Sequence, residues 1–151
     1  MIREKVQYEN FDGELVTEEI IFHFSLSGMV NYEKLTGRKF FTDYEFAFAR
    51  LVTLMDEIGG FDEVDTASPM QMMSILTDAV INEFLANFIR AFYAERENGK
   101  FVQDETTMQT AEDSLWLFEL LNVAFFMRVF GELNKNRQER RKPAKQSAGK
   151  K

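Results

Sequence analysis

Residues 17–27 read Thr17-Glu18-Glu19-Ile20-Ile21-Phe22-His23-Phe24-Ser25-Leu26-Ser27, and the period of the apolar positions changes inside this stretch. Up to Phe24 the period is two. Ile20, Phe22 and Phe24 share one face of an extended chain, and Glu19, Ile21 and His23 share the other. Beyond Ser27 the apolar residues recur at helical spacing. An N-terminal strand pair followed by helices is therefore the expected order. Upstream, Glu4-Lys5-Val6-Gln7-Tyr8 supplies the partner strand, and Asn10-Phe11-Asp12-Gly13 supplies the turn. Gly13 can take the positive φ that such turns demand. A lone hairpin is marginal in water, so its apolar face must dock on the helices.

Downstream, the punctuation predicts about four helices. Ser27 is a candidate N-cap for Met29–Leu35, which Gly37 ends. Thr42-Asp43-Tyr44-Glu45 has capping-box spacing and opens a helix carrying Phe46, Ala49, Leu51, Val52, Met55 and Ile58. Gly59-Gly60 stops it. Ser68-Pro69 starts the next helix, with Ser as cap and Pro at the first helical position. That helix can run to Glu97, roughly 45 Å at 1.5 Å per residue, with an internal break left open. Lys100–Glu105 reads as a connector. A last helix runs from about Thr107–Thr110 to Asn134. The expected fold class is mainly α: a single domain over 1–134, with an N-terminal β-hairpin (1–26) packed on a helical bundle (27–134).

Composition narrows the function classes. The chain has 151 residues, no cysteine and one histidine, His23. Disulfides, thiolate metal sites, cysteine nucleophiles and two-histidine metal motifs are excluded. The charged start Met1-Ile2-Arg3-Glu4-Lys5 predicts no secretory signal, which makes the cytoplasm the expected compartment. The net charge of −7 is unevenly split. Residues 135–151 hold eight Lys or Arg against one Glu, which leaves 10 basic and 24 acidic side chains in residues 1–134. This basic tail has no large apolar residue and is expected to be disordered. It could attract phosphates, but no aromatic residue is interleaved for base stacking, so nucleic acid is an unfavoured partner.

Candidate chemistry is sparse. His23 alternates with Phe22 and Phe24, as a sheet-face residue would. The acids Asp62, Glu63 and Asp65, Asp104 and Glu105, and Glu112 and Asp113 sit at helix starts and connectors, where the macrodipole favours them. No EF-hand, phosphate loop or nucleophile elbow is present. The chain is expected to be no enzyme, with no catalytic residue, metal or cofactor. Two segments carry more apolar surface than one helical stripe needs. In Leu115–Phe130, 13 of 16 residues are apolar, yet the run is shorter than the ~20 residues of a membrane span. It reads as a central helix or as one with a face turned to a partner. Met70–Tyr93 is similarly rich, and its methionines suit either core or an adaptable contact. Phe84, Phe88, Phe92, Trp116, Phe118, Phe125, Phe126 and Phe130 form a pool of candidate partner-binding residues, with core and interface unsorted.

Three blocks resemble the tail assembly chaperones of siphophages that infect Gram-positive hosts. Glu9-Asn10-Phe11-Asp12-Gly13, followed by Val16–Ser27, is similar to that family's opening hairpin. Phe92-Tyr93-Ala94-Glu95-Arg96-Glu97-Asn98-Gly99-Lys100-Phe101-Val102 resembles its Tyr-Gly-Glu-Lys helix end and Asp-Gly-Lys-x-Phe-Ile connector. Gln109–Leu120 resembles the segment that opens its last helix. Ser27 is followed by Gly28-Met29 where the family has Lys-Ala-Glu, and Ala94 stands where it often has Gly.

The resemblance implies a phage tail assembly chaperone in the host cell cytoplasm. Such a protein keeps the tape measure protein soluble, helps recruit the major tail tube protein and is absent from the mature virion. It implies no cofactor and no membrane. It also implies, as a partner, a longer form of the chain made by a programmed −1 frameshift. Gly149-Lys150-Lys151 is the peptide that a slippery heptamer would encode, although a Lys-rich tail can end this way without one. Self-association is left open. The alternative from a different class is another helical adaptor or regulatory protein, with nucleic-acid binding through the tail a more distant one.

Overall fold

The computed structural model describes residues 1–59 and 69–135. The expected stop at Gly60, the cap at Ser68, the acids at 62–65 and the basic tail from residue 136 on, including the Gly149-Lys150-Lys151 end, lie outside the described residues. The fold class is the expected one: mainly helical, with an N-terminal antiparallel hairpin. Strand β1 (Ile2–Glu9) pairs with β2 (Leu15–Phe22), from Ile2 opposite Phe22 to Glu9 opposite Leu15. In the turn, the Asn10 carboxamide oxygen accepts the N–H of Asp12 at 3.0 Å and of Glu14 at 2.9 Å, and Gly13 takes φ 78°. Ile2, Val6, Ile20 and Phe22 are buried, while Arg3, Lys5, Thr17 and Glu19 face solvent.

Helix α1 (Leu26–Thr36) starts directly after the hairpin. Its cap is Ser25 rather than Ser27: the Ser25 hydroxyl accepts the Gly28 N–H at 3.1 Å. Gly37 ends it at φ 73°, bonding back to the Glu33 carbonyl. Helix α2 (Phe40–Glu57) likewise begins earlier than the Thr42 box predicts. Phe40 is packed among Tyr32, Phe84 and Phe92, and burial of its ring outweighs the absence of a side-chain cap at Lys39. Thr42 lies inside the first turn.

The long helix expected from residue 69 to Glu97 is three elements. Helix α3 (Pro69–Leu76) stops, and Asp78 caps α4 (Ala79–Phe92) by accepting the Ile81 N–H. From Tyr93 the chain turns into strand β3 (Tyr93–Glu97), which pairs with β4 (Lys100–Val102). The supposed connector is thus half of a second hairpin. Asn98 and Gly99, with φ 53° and 79°, form its two-residue turn, the geometry that matches strand twist. Tyr93 and Ala94 pair with Phe22 and Ile21, so the sheet has four strands in the order β1-β2-β3-β4.

The last predicted helix is also divided. Helix α5 (Glu105–Asp113) opens earlier than expected, on a reciprocal box between Asp104 and Thr107. Helix α6 (Leu117–Leu120) is a single turn. Asn122 then accepts the Phe125 N–H at 2.8 Å and starts helix α7 over residues 123–135. These breaks account for the apolar run. One straight helix could bury only a stripe, but the bends at 114–116 and 121–122 turn Trp116, Leu117, Leu120, Phe125, Phe126, Val129 and Phe130 all inward. The helix enclosed by its neighbours is α4, which packs against α1, α2, α3 and α5.

The core is a continuous run of aromatic rings. Phe22 meets Phe125 at 5.2 Å between centroids, Phe88 meets Phe92 at 4.8 Å, Phe40 meets Phe92 at 4.9 Å and Tyr44 meets Phe130 at 5.4 Å. Such pairs add about 0.5–1.5 kcal/mol each beyond area burial. At one end, Gly28 lies so close to the Phe92 ring that a Cβ there would sit inside the ring's van der Waals envelope. Gly28→Ala is expected to destabilise the protein by roughly 1–3 kcal/mol through overpacking, although alanine is the better helix former by about 1 kcal/mol. Urea unfolding followed by the fluorescence of the single Trp116 measures it, and an unchanged midpoint would refute the close packing.

Candidate partner-binding surface

The eight aromatic candidates separate sharply by position. Phe84, Phe88, Phe92, Trp116, Phe125, Phe126 and Phe130 are buried, whereas Phe118 on α6 is 72% exposed. Within this fold, seven of the eight belong to the core, and Phe118 alone of them is on the surface. Other large apolar side chains are exposed that the sequence did not single out. Phe46 on α2 is 68% exposed, and Val80 on α4 is also outside. Met70 and Met73 on α3 are exposed as well, so of the two readings open for the methionines of that segment, core or contact, these two are on the surface.

Two of these residues border one cleft. Phe46 and Val80 wall a cavity of about 270 Å³ between α2 and α4, together with Thr42, and the buried Phe84 lines it with them. Its charged boundary is built by Arg38, Asp43 and Glu83. Arg38 follows the α1 cap Gly37 and reaches across. Its guanidinium bonds Asp43 at 3.0 Å and Glu83 at 2.9 Å, and these bonds raise its pKa further. Asp43 also accepts the Tyr32 hydroxyl at 2.6 Å. Burial, then the hydrogen bond to Asp43 and its charge, push the Tyr32 phenol well above its usual range. The cleft thus offers an apolar slot with a fixed polar boundary. It is large enough for one or two side chains of an amphipathic helix and too small for a drug-sized ligand.

A second cleft, of about 520 Å³, lies between α1 and the start of α5. The exposed Leu26 and Val30 line it, and Asn31, Lys34, Gln103, Asp104 and Glu105 interleave polar groups with their apolar surface. Asn31 is satisfied within it, donating to the carbonyls of Ala91 and Asp104. His23, just past the end of β2, packs against Phe101 with the rings tilted and 5.2 Å between centroids. Asp104 caps α5, and Asp113 accepts the Gln109 amide. Among the described residues, no group of three His, Asp or Glu side chains is placed to hold a metal ion, and no helix is long and apolar enough to cross a membrane.

The Tyr32–Asp43 bond has a pH signature. Its raised folded-state pKa means that the stability it contributes is present below the ordinary tyrosine value of 10.0 and is lost as pH rises above it. Tyr32→Phe is expected to cost roughly 1.5–3 kcal/mol at pH 7 and to flatten the alkaline loss of stability, measured by urea unfolding from neutral pH upward. Tyr93, raised chiefly by burial, and Tyr8, raised chiefly by its hydrogen bond to Glu18, would contribute to the remaining alkaline slope. No family model matches the chain, and no curated protein or solved structure was found to be similar to it.

Proposed function

We propose that this protein is a tail assembly chaperone of the siphophage type. It binds the helical tape measure protein in the host cytoplasm, keeps it soluble and hands it on as tail tube subunits arrive. The observation that carries this reading is that the three resembling blocks, distant in sequence, meet in space. Phe22 of the first block pairs with Tyr93 of the second, and both rings pack on Trp116 of the third, at 6.5 and 5.1 Å between centroids. Residues that resemble one family at three places thus form one structural unit, as a shared fold requires.

The mechanism follows from the surface. Phe46 and Val80 form an apolar rim that an amphipathic client helix can cover, presenting side chains at i and i+3 or i+4 to the slot lined by Phe84. The aromatic core is already closed, so binding needs no unfolding of the chaperone. The 24 acidic side chains in residues 1–134 keep a protein with an exposed apolar rim soluble. A longer frameshifted product would carry the same body with a different C-terminal end.

The test is co-expression with the tape measure protein encoded by the same phage. Wild type is expected to move that client into the soluble fraction, Phe46→Glu to lose most of this effect, and Phe118→Glu to keep it. Both substituted side chains are exposed, so the fold should tolerate them, and circular dichroism checks that it does. A client that stays insoluble with wild type sinks the chaperone reading. A Phe46→Glu variant as effective as wild type removes the α2–α4 cleft from it.

A further inference from the structure

We infer that the outer edge of β1 is a self-association surface, on which a second copy of this chain adds its own β1 in antiparallel register centred on Val6. The strand order places β1 at the margin of the sheet, with no strand among the described residues on its outer side. It is eight residues long, longer than the usual strand, and contains no proline or glycine that would blunt an edge. In an antiparallel pair, the backbone groups of alternate residues point away from the existing partner, so roughly half of those in β1 face outward.

The side chains select the occupant. With Val6 opposite Val6, Arg3 of each copy stands opposite Glu9 of the other. Lys5 then faces Gln7, and Glu4 faces Tyr8. Arg3, Lys5, Gln7 and Glu9 lie on the solvent face in both copies, and all four are exposed. Ile2, Val6 and the partly buried Glu4 and Tyr8 lie on the core face. The two-fold axis runs perpendicular to the sheet, so the two cores sit on the same side of one eight-stranded sheet. Competing registers are worse. Centring on Lys5 sets Lys5 against Lys5. Centring on Gln7 keeps Lys5 against Glu9 but shortens the ladder. A shift by one residue sets the core face of one copy beside the solvent face of the other. A strand whose charges complement themselves about its own midpoint fits a second copy better than an unrelated peptide.

The test is sedimentation equilibrium of the full chain over a concentration series. Wild type is expected to self-associate. Arg3→Glu and Glu9→Arg, each placing two like-charged pairs across the edge, should each weaken association roughly tenfold or more. The double variant Arg3→Glu/Glu9→Arg should recover it to within about threefold. Arg3 also pairs with Glu19 at 3.8 Å within the same chain, and the double variant lacks that pair as well. Recovery therefore reports the edge and not the stability of the hairpin. A monomeric wild type, single variants that associate like wild type, or a double variant as weak as the singles would each overturn the inference. This test does not involve the tape measure protein, so its outcome is separate from that of the chaperone reading.

Discussion

One side-chain amide ties together the ends of four elements. Gln103 follows β4, and its amide nitrogen donates to the carbonyl of His23 at 2.7 Å and to that of Phe92 at 2.8 Å. Its oxygen accepts the hydroxyl of Ser25, the residue that caps α1. The His23 N–H also donates to the Phe92 carbonyl at 3.0 Å. The end of β2, the start of α1, the end of α4 and the exit from β4 are thus fixed to one point. A carbonyl left unpaired in such a junction would cost about 1–3 kcal/mol, so the position of each element end is set by a neighbour far away in sequence. Gly28 completes the arrangement, because only a residue without a Cβ lets α1 lie against the Phe92 ring.

From that junction the aromatic core extends in two directions. Phe24 stacks on Phe92 at 5.3 Å and leads through Phe40 into the face shared by α1, α2 and α4. Phe22, on the strand, leads through Phe125 to α7. Ten of the chain's 16 phenylalanines are buried or packed against the core, because β2, α2 and α7 turn rings toward those of the central α4. The apolar excess that marks α4 and residues 115–130 is therefore mostly internal. The exposed apolar side chains that border the α2–α4 cleft are Phe46 and Val80, the latter in the first turn of α4 itself.

The parts of the fold that are local in origin were legible in the sequence. The first hairpin rests on alternation and a turn cluster, and Gly37 ends α1 because no other residue type adopts φ near +73° so readily. The parts decided by tertiary packing were not. Tyr93–Glu97 has respectable helix propensity, and the edge of β2 overrides it by offering partners to Tyr93 and Ala94. Asn98-Gly99 is itself the dipeptide that two-residue hairpin loops favour, but the helical spacing of the apolar positions before it predicts a helix running to Glu97. Phe46 shares the helical spacing of the apolar positions of α2, so the sequence groups it with them, and only the packing of α4 reveals that it faces outward.

Helix α4 passes into strand β3 with no residue between them: Phe92 closes one and Tyr93 opens the other. Most helix–strand connections include several residues of loop, which lets each element shift without moving the other. Here the covalent chain has no slack. The axial position of α4 and the register of β3 against β2 are therefore one variable and not two: neither element can slide without the other, and Gln103 holds both at the Phe92 carbonyl.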